Sequence, residues 1–230
     1  MGSKGDSMKK FWITIAAAWL AVIVVMVTKT AAVVEPRDTV HVVIVYGQNG
    51  EPRGNGSGVM VAPGLMLTAA HVVDSGRVGV GLSQAPAKVV KVSKILDLAL
   101  LEVALACPCA PVASKAPKVD SPVAAIGYPS FNYAAVQMRT AGHIQGRVER
   151  DHRLMFSAPI SGGNSGGGLF FGDTLVGIVV EVINGGNMFS SSPIYHIARA
   201  VDTESLSVFV AGYERLAVDP VIRKFTERRV

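Results

Sequence analysis

Three short segments hold residues whose types and spacing could do nucleophilic chemistry. Gly162-Gly163-Asn164-Ser165-Gly166-Gly167 sets a serine in a run of glycines. Glycine reaches positive-φ conformations at the least steric cost, so such a turn can aim one hydroxyl and several backbone N–H groups at a single point. The same composition also makes ordinary flexible loops, and the serine alone decides nothing. Thr68-Ala69-Ala70-His71-Val72-Val73 places His71 just after the apolar run Leu65, Met66, Leu67 and before two valines, at the edge of a core. In Ile95-Leu96-Asp97-Leu98-Ala99-Leu100-Leu101-Glu102-Val103, Asp97 enters a continuous apolar strand. A carboxylate there is costly unless something pairs with it. A histidine donating Nδ1–H would do so and leave Nε2 free to take the proton of a serine hydroxyl. His41, His143, His152 and His196 have no comparable context and read as surface or structural residues. Asp74 reads as the cap of a short turn.

The elements that would position these groups are strands. The chain has 230 residues, 50% of them hydrophobic, with 24 glycines and 12 prolines, and its valine-rich runs are short and punctuated, an all-β signature. Strands are expected over 40–45, 59–61, 66–68, 78–81, 88–92, 98–103, 123–126, 154–157 and 174–182. Helical patterning occurs late, over 194–201 and 204–216. Length suits one domain large enough for two small barrels sharing a cleft.

The order His71, Asp97, Ser165, with the wording TAAHVV, DLALLEV and GGNSGGGL around them, resembles the trypsin-like serine proteases, most closely the HtrA/Deg-like branch. The resemblance covers about residues 40 to 200, and 125–129 and 140–144 look like that family's strands leading to the nucleophile loop. It implies two six-stranded antiparallel β-barrels of the chymotrypsin type with the active site between them. It also implies a catalytic triad of His71, Asp97 and Ser165, an oxyanion hole from the N–H groups of Gly163 and Ser165, and no metal or organic cofactor. Pro159 stands six residues before the nucleophile, where tryptic enzymes carry an aspartate, so cleavage after arginine or lysine is not expected. The resemblance aligns 176–182 with the pocket wall. Val180 and Val182 are expected to narrow it toward small or medium aliphatic side chains, and Glu181 to favour a basic residue further along the substrate. The residues after 202 are too few for a PDZ domain, so that branch's peptide sensing is not carried over.

The N-terminus bears on location. Residues 11–28 carry no charge and are almost wholly apolar, between Lys4, Lys9 and Lys10 on one side and Lys29 on the other. About 20 apolar residues span a bilayer, so this run is expected to be a transmembrane signal anchor; Thr30-Ala31-Ala32 keeps a cleaved signal peptide open as the other reading. Basic residues at the front send the rest across, putting the protease on the non-cytoplasmic side in a periplasm, envelope or lumen. The expected division is a basic segment 1–10, anchor 11–28, tether 29–39, protease domain 40–202, and a C-terminal helix with a basic tail over 203–230. The net charge of +5 favours anionic lipid more than nucleic acid, because no basic stripe with interleaved aromatics occurs. Cys107 and Cys109 flank Pro108 in the segment expected to link the barrels. Some viral chymotrypsin-like proteases place half of a zinc site there, but a structural site normally needs four ligands, and free or bridged thiols are expected here. Expected partners are protein or peptide substrates and, through the N-terminal helix, a membrane. A peptide-binding or chaperone-like module on the same fold and a self-processing protease are the other readings.

Overall fold

The computed structural model describes residues 34–74, 76–106, 108–129, 136–182 and 197–218, all within one compact unit that begins at Val34. The expected anchor 11–28, the tether up to residue 33, Cys107 and the tail beyond 218 lie outside the described residues.

The described strands close into two antiparallel six-stranded barrels. The first consists of β1 (Val40–Tyr46), β2 (Pro52–Ala62), β3 (Leu65–Ala69), β4 (Arg77–Val80), β5 (Ala85–Ser93) and β6 (Leu98–Val103). Its order around the barrel is β1-β2-β3-β6-β5-β4. The second consists of β7 (Pro122–Gly127), β8 (Met138–Val148), β9 (Arg153–Phe156), β10 (Gly168–Phe171), β11 (Thr174–Val182) and β12 (Ala198–Asp202), in the order β10-β11-β12-β9-β8-β7. Helix α1 (Thr203–Val218) follows directly on β12. β-Branched residues supply much of both barrels because they pack well on a pleated, half-buried surface.

Each barrel has its own core. Val43, Met60, Met66, Val80 and Leu101 fill the first, and Val123, Ile144, Leu154, Phe156 and Val176 the second. A third cluster joins them: Val40, Val59, Leu67 and Leu98 pack with Ile126, Phe170, Ile178 and Val201, and with Leu206 and Phe209 of α1. The site-bearing loops therefore rest on a layer shared by both barrels.

Two expectations are corrected. Residues 198–201 form β12 rather than helix. Their alanines are good helix formers, yet they pair on one side with β11 and on the other with β9 and are buried, so tertiary pairing overrides propensity. In addition, β10 was not anticipated as a strand. It is short, and its glycine and paired phenylalanines do not alternate in polarity.

The start of α1 is held by charge. The Asp202 side chain is fully buried; Oδ1 accepts the Ser205 N–H at 3.0 Å as a helix N-cap, and Oδ2 accepts Arg147 Nη2 at 3.0 Å. Arg147 also reaches Glu204 at 2.8 Å and Glu149 at 3.2 Å.

Candidate active site

The β3–β6 register brings the first two functional residues together. Ala69 at the end of β3 pairs with Leu98 at the start of β6, so the residues just beyond β3 and just before β6 are neighbours. One is His71, in the 3-10 turn Ala70–Val72; the other is Asp97. Asp97 grips that turn three times. Its carbonyl accepts the Ala70 N–H at 3.1 Å and its Oδ1 accepts the His71 N–H at 2.9 Å. Its Oδ2 lies 2.6 Å from His71 Nδ1. Asp97 adopts the left-handed conformation, φ 55°, which aspartate tolerates better than most non-glycine residues. A carboxylate only accepts, so Nδ1 carries the proton and Nε2 presents a lone pair. The Asp97 hydrogen bond raises the His71 pKa above its ordinary value; partial burial opposes it, and the charges of Asp97 and Glu181 add to it.

Ser165 comes from the loop between β9 and β10. With His71, Val72, Asn55, Gly162 and Gly163 it lines one open cleft of about 390 Å³. Its hydroxyl lies 3.5 Å from the Val180 carbonyl oxygen, at the long limit for a hydrogen bond. Before it, Asn164 N–H donates to Ser161 O at 3.1 Å, closing a turn with Gly163 at φ 95° in its third position. Positive φ there is the type II pattern and calls for glycine. A Cβ on Gly163 would also overlap the Tyr128 carbonyl oxygen. Neither Gly163 nor Ser165 donates its N–H to another backbone group among the described residues outside the sheet ladders. Gly166, φ 84°, lies so close to Ser57 O and Thr68 Oγ1 that no side chain fits.

Of the residues expected to shape the specificity pocket, Pro159, Val180 and Glu181 are described, and none of them lines the cleft that holds His71 and Ser165. Val180 is the extra residue of a β-bulge between Val179 and Glu181, and it is 4% exposed within the layer between the barrels. Its side chain packs in that layer, and its carbonyl oxygen is the one 3.5 Å from the Ser165 hydroxyl. Glu181 is exposed and pairs with Arg199 Nη1 at 3.1 Å across β12, so its charge is already engaged. Pro159 is exposed and does not line the cleft that holds His71 and Ser165. The Val182 side chain lies outside what is described.

One residue was missed. Ser57 of β2, fully buried, donates its hydroxyl to Gly163 O at 2.8 Å and accepts the Tyr128 N–H at 2.8 Å. Its own N–H donates to Ser165 O at 2.8 Å. The available signal was Gly56 and Gly58 on either side, since glycines inside a strand mark a close backbone approach. Cys109 is disulfide-bonded, and no cluster of three or more metal-ligating side chains occurs among the described residues.

A family model described as a trypsin-like peptidase domain matches residues 56–178, more than half of the chain. Among solved structures the chain is similar to a serine endoprotease from Yersinia pestis, at 27% identity and a TM-score of 0.66, covering 78% of this chain and 64% of that one. The chain thus spans less than two thirds of the Yersinia enzyme. It shares its fold with the active form of the Rv3671c protease from M. tuberculosis, at 19% identity and a TM-score of 0.62, covering 76% of this chain and 81% of that one. The inactive serine-to-alanine form of the Rv3671c protein matches at 19% identity and a TM-score of 0.61, covering 80% of this chain and 90% of that one. No curated protein matches the sequence.

Proposed function

The chain belongs to the trypsin-like peptidase domain family, and from that premise we propose that it is a membrane-anchored serine endopeptidase. The observation that carries the reading is the 2.6 Å His71–Asp97 pair, with His71 lining the same cleft as Ser165, where among the described residues the Gly163 and Ser165 N–H groups have no backbone acceptor outside the sheet ladders. In this reading Ser165 attacks the scissile carbonyl while His71 Nε2 takes its proton and later gives it to the leaving amine. Asp97 orients the imidazole and stabilises its charged form. The N–H groups of Gly163 and Ser165 receive the oxyanion, a contribution of about 3 kcal/mol per donor. Among the described residues no acidic side chain lines the cleft, so cleavage after arginine or lysine is not expected, and small or medium aliphatic side chains are the proposed preference at the cleaved bond.

Residues 11–28 anchor the enzyme, and the domain lies on the non-cytoplasmic side within a few residues of the bilayer; among the described residues no helix is long and apolar enough to cross one. Protein and peptide substrates reach the cleft from that side. Labelling with a serine-directed fluorophosphonate tests the chemistry. The full chain should label, and Ser165→Ala and His71→Ala should not. A folded wild type that does not label would favour a peptide-binding module instead.

A further inference from the structure

Ser57 makes more bonds to the nucleophile loop than its place in the other barrel leads one to expect. Its hydroxyl has one proton, and the geometry decides where that proton goes. The Tyr128 N–H can only donate, so the Ser57 oxygen accepts it, and the hydroxyl proton is committed to the Gly163 carbonyl, with both contacts at 2.8 Å. The main chain of Ser57 is engaged as well: its N–H holds Ser165 O at 2.8 Å, and its carbonyl accepts Thr68 Oγ1 at 2.6 Å. The residue is wholly buried, where hydrogen bonds are strong and the loss of a partner is costly.

We infer that Ser57 is a positioning residue that holds the Ser161–Asn164 turn in the state where the Gly163 and Ser165 N–H groups converge, an inference resting on the proposed function above. One side of the turn is closed by Asn164 N–H on Ser161 O, 3.1 Å. On the other side Ser57 pins the carbonyls of Gly163 and Ser165, the two residues whose N–H groups face the developing charge. Gly163 has no Cβ and could reach several backbone states. With its carbonyl tied to barrel one, the turn keeps the positive-φ geometry. Barrel two thus supplies the nucleophile and the oxyanion donors, and barrel one holds them in register. Removing the Ser57 hydroxyl deletes the Gly163 tether and strands the Tyr128 N–H, while the backbone bond to Ser165 O stays.

The test compares wild type, Ser57→Ala, Ser57→Thr and Ser165→Ala in the full chain, reading the fluorophosphonate labelling rate from pH 5 to 9 and the melting temperature. The expected result for Ser57→Ala is a plateau rate lower by about 10²-fold, the size of a lost oxyanion donor. The apparent pKa of the profile should stay put, because His71 and Asp97 are untouched, and Ser57→Thr, which keeps the hydroxyl, should recover most of the rate. A folded Ser57→Ala that labels within threefold of wild type would overturn the inference and leave the peptidase reading intact, as would a rate loss with a displaced pH midpoint. If the alanine variant does not fold, Ser57→Cys stands in, with its weaker donor: at least a tenfold slower rate supports the inference, and an unchanged rate overturns it. A folded wild type that fails to label sinks the peptidase reading itself.

Discussion

Asp97 is the residue on which the geometry of the cleft turns most directly. It holds the His71 backbone and ring together, so Asp97→Asn should lower the hydrolysis rate by about 10⁴-fold by permitting the wrong imidazole tautomer, with little change in the melting temperature. Steady-state hydrolysis of a valine-terminated peptide anilide checks this, and a loss under tenfold would speak against the assigned role. The raised His71 pKa has a sign that can be read in solution. A general base must be neutral, so activity should climb with pH through a midpoint above the ordinary histidine value and then level off. Glu181 contributes to the raise, so Glu181→Gln should move that midpoint down; no movement, or an upward one, would contradict the coupling. For stability the sense is opposite. A pKa raised by folding means that the His71 contribution is fully present below the unfolded-state value and is lost as pH rises through the folded-state one.

Strand register and helix capping position what these residues need. The Ala69–Leu98 pair sets His71 beside Asp97, and a one-residue slip would turn both strands' side chains to the wrong faces. In barrel two, Asp202 ends β12, caps α1 and binds Arg147. Asp202→Ala removes the cap and leaves a partly buried guanidinium without its one fully buried carboxylate partner, and should cost about 3 kcal/mol in urea unfolding. Asp202→Asn keeps the capping oxygen and should cost less. Equal losses in the two variants would show that the cap contributes nothing beyond the ion pair. Lys91 fastens the same helix to β5, its ammonium 2.7 Å from Phe209 O and 4.4 Å from the centre of the Phe209 ring, and burial pulls its pKa down.

Both barrels share one apolar layer, and α1 closes over it through Leu206 and Phe209. Neither half of the cleft is complete without the other: His71 and Asp97 stand on barrel one, Ser165 and the glycine turn on barrel two. The proposed anchor makes a separate prediction about the intact protein. Full-length chain should stay with membranes through alkaline carbonate, and deletion of residues 1–33 should move it to the soluble fraction while fluorophosphonate labelling persists. Full-length protein extracted by carbonate would refute the anchor.

The contexts of His71, Asp97 and Ser165 were legible because each is local: a few neighbours along the chain fix the burial of an acid, the edge position of a ring or the freedom of a glycine turn. All-β character was legible for the same reason, from short β-branched runs. What residues far apart in sequence do to one another was not. β12 reads as helix until β9 and β11 pair with it, and Val180 reads as a pocket wall until a bulge turns its side chain into the shared layer. Ser57 bonds partners 71 and 106 residues away. The chain by itself determined which groups could do the chemistry; the folded barrels alone decided which of them meet, because register, bulges and buried hydrogen bonds depend on partners that sequence neighbours do not specify.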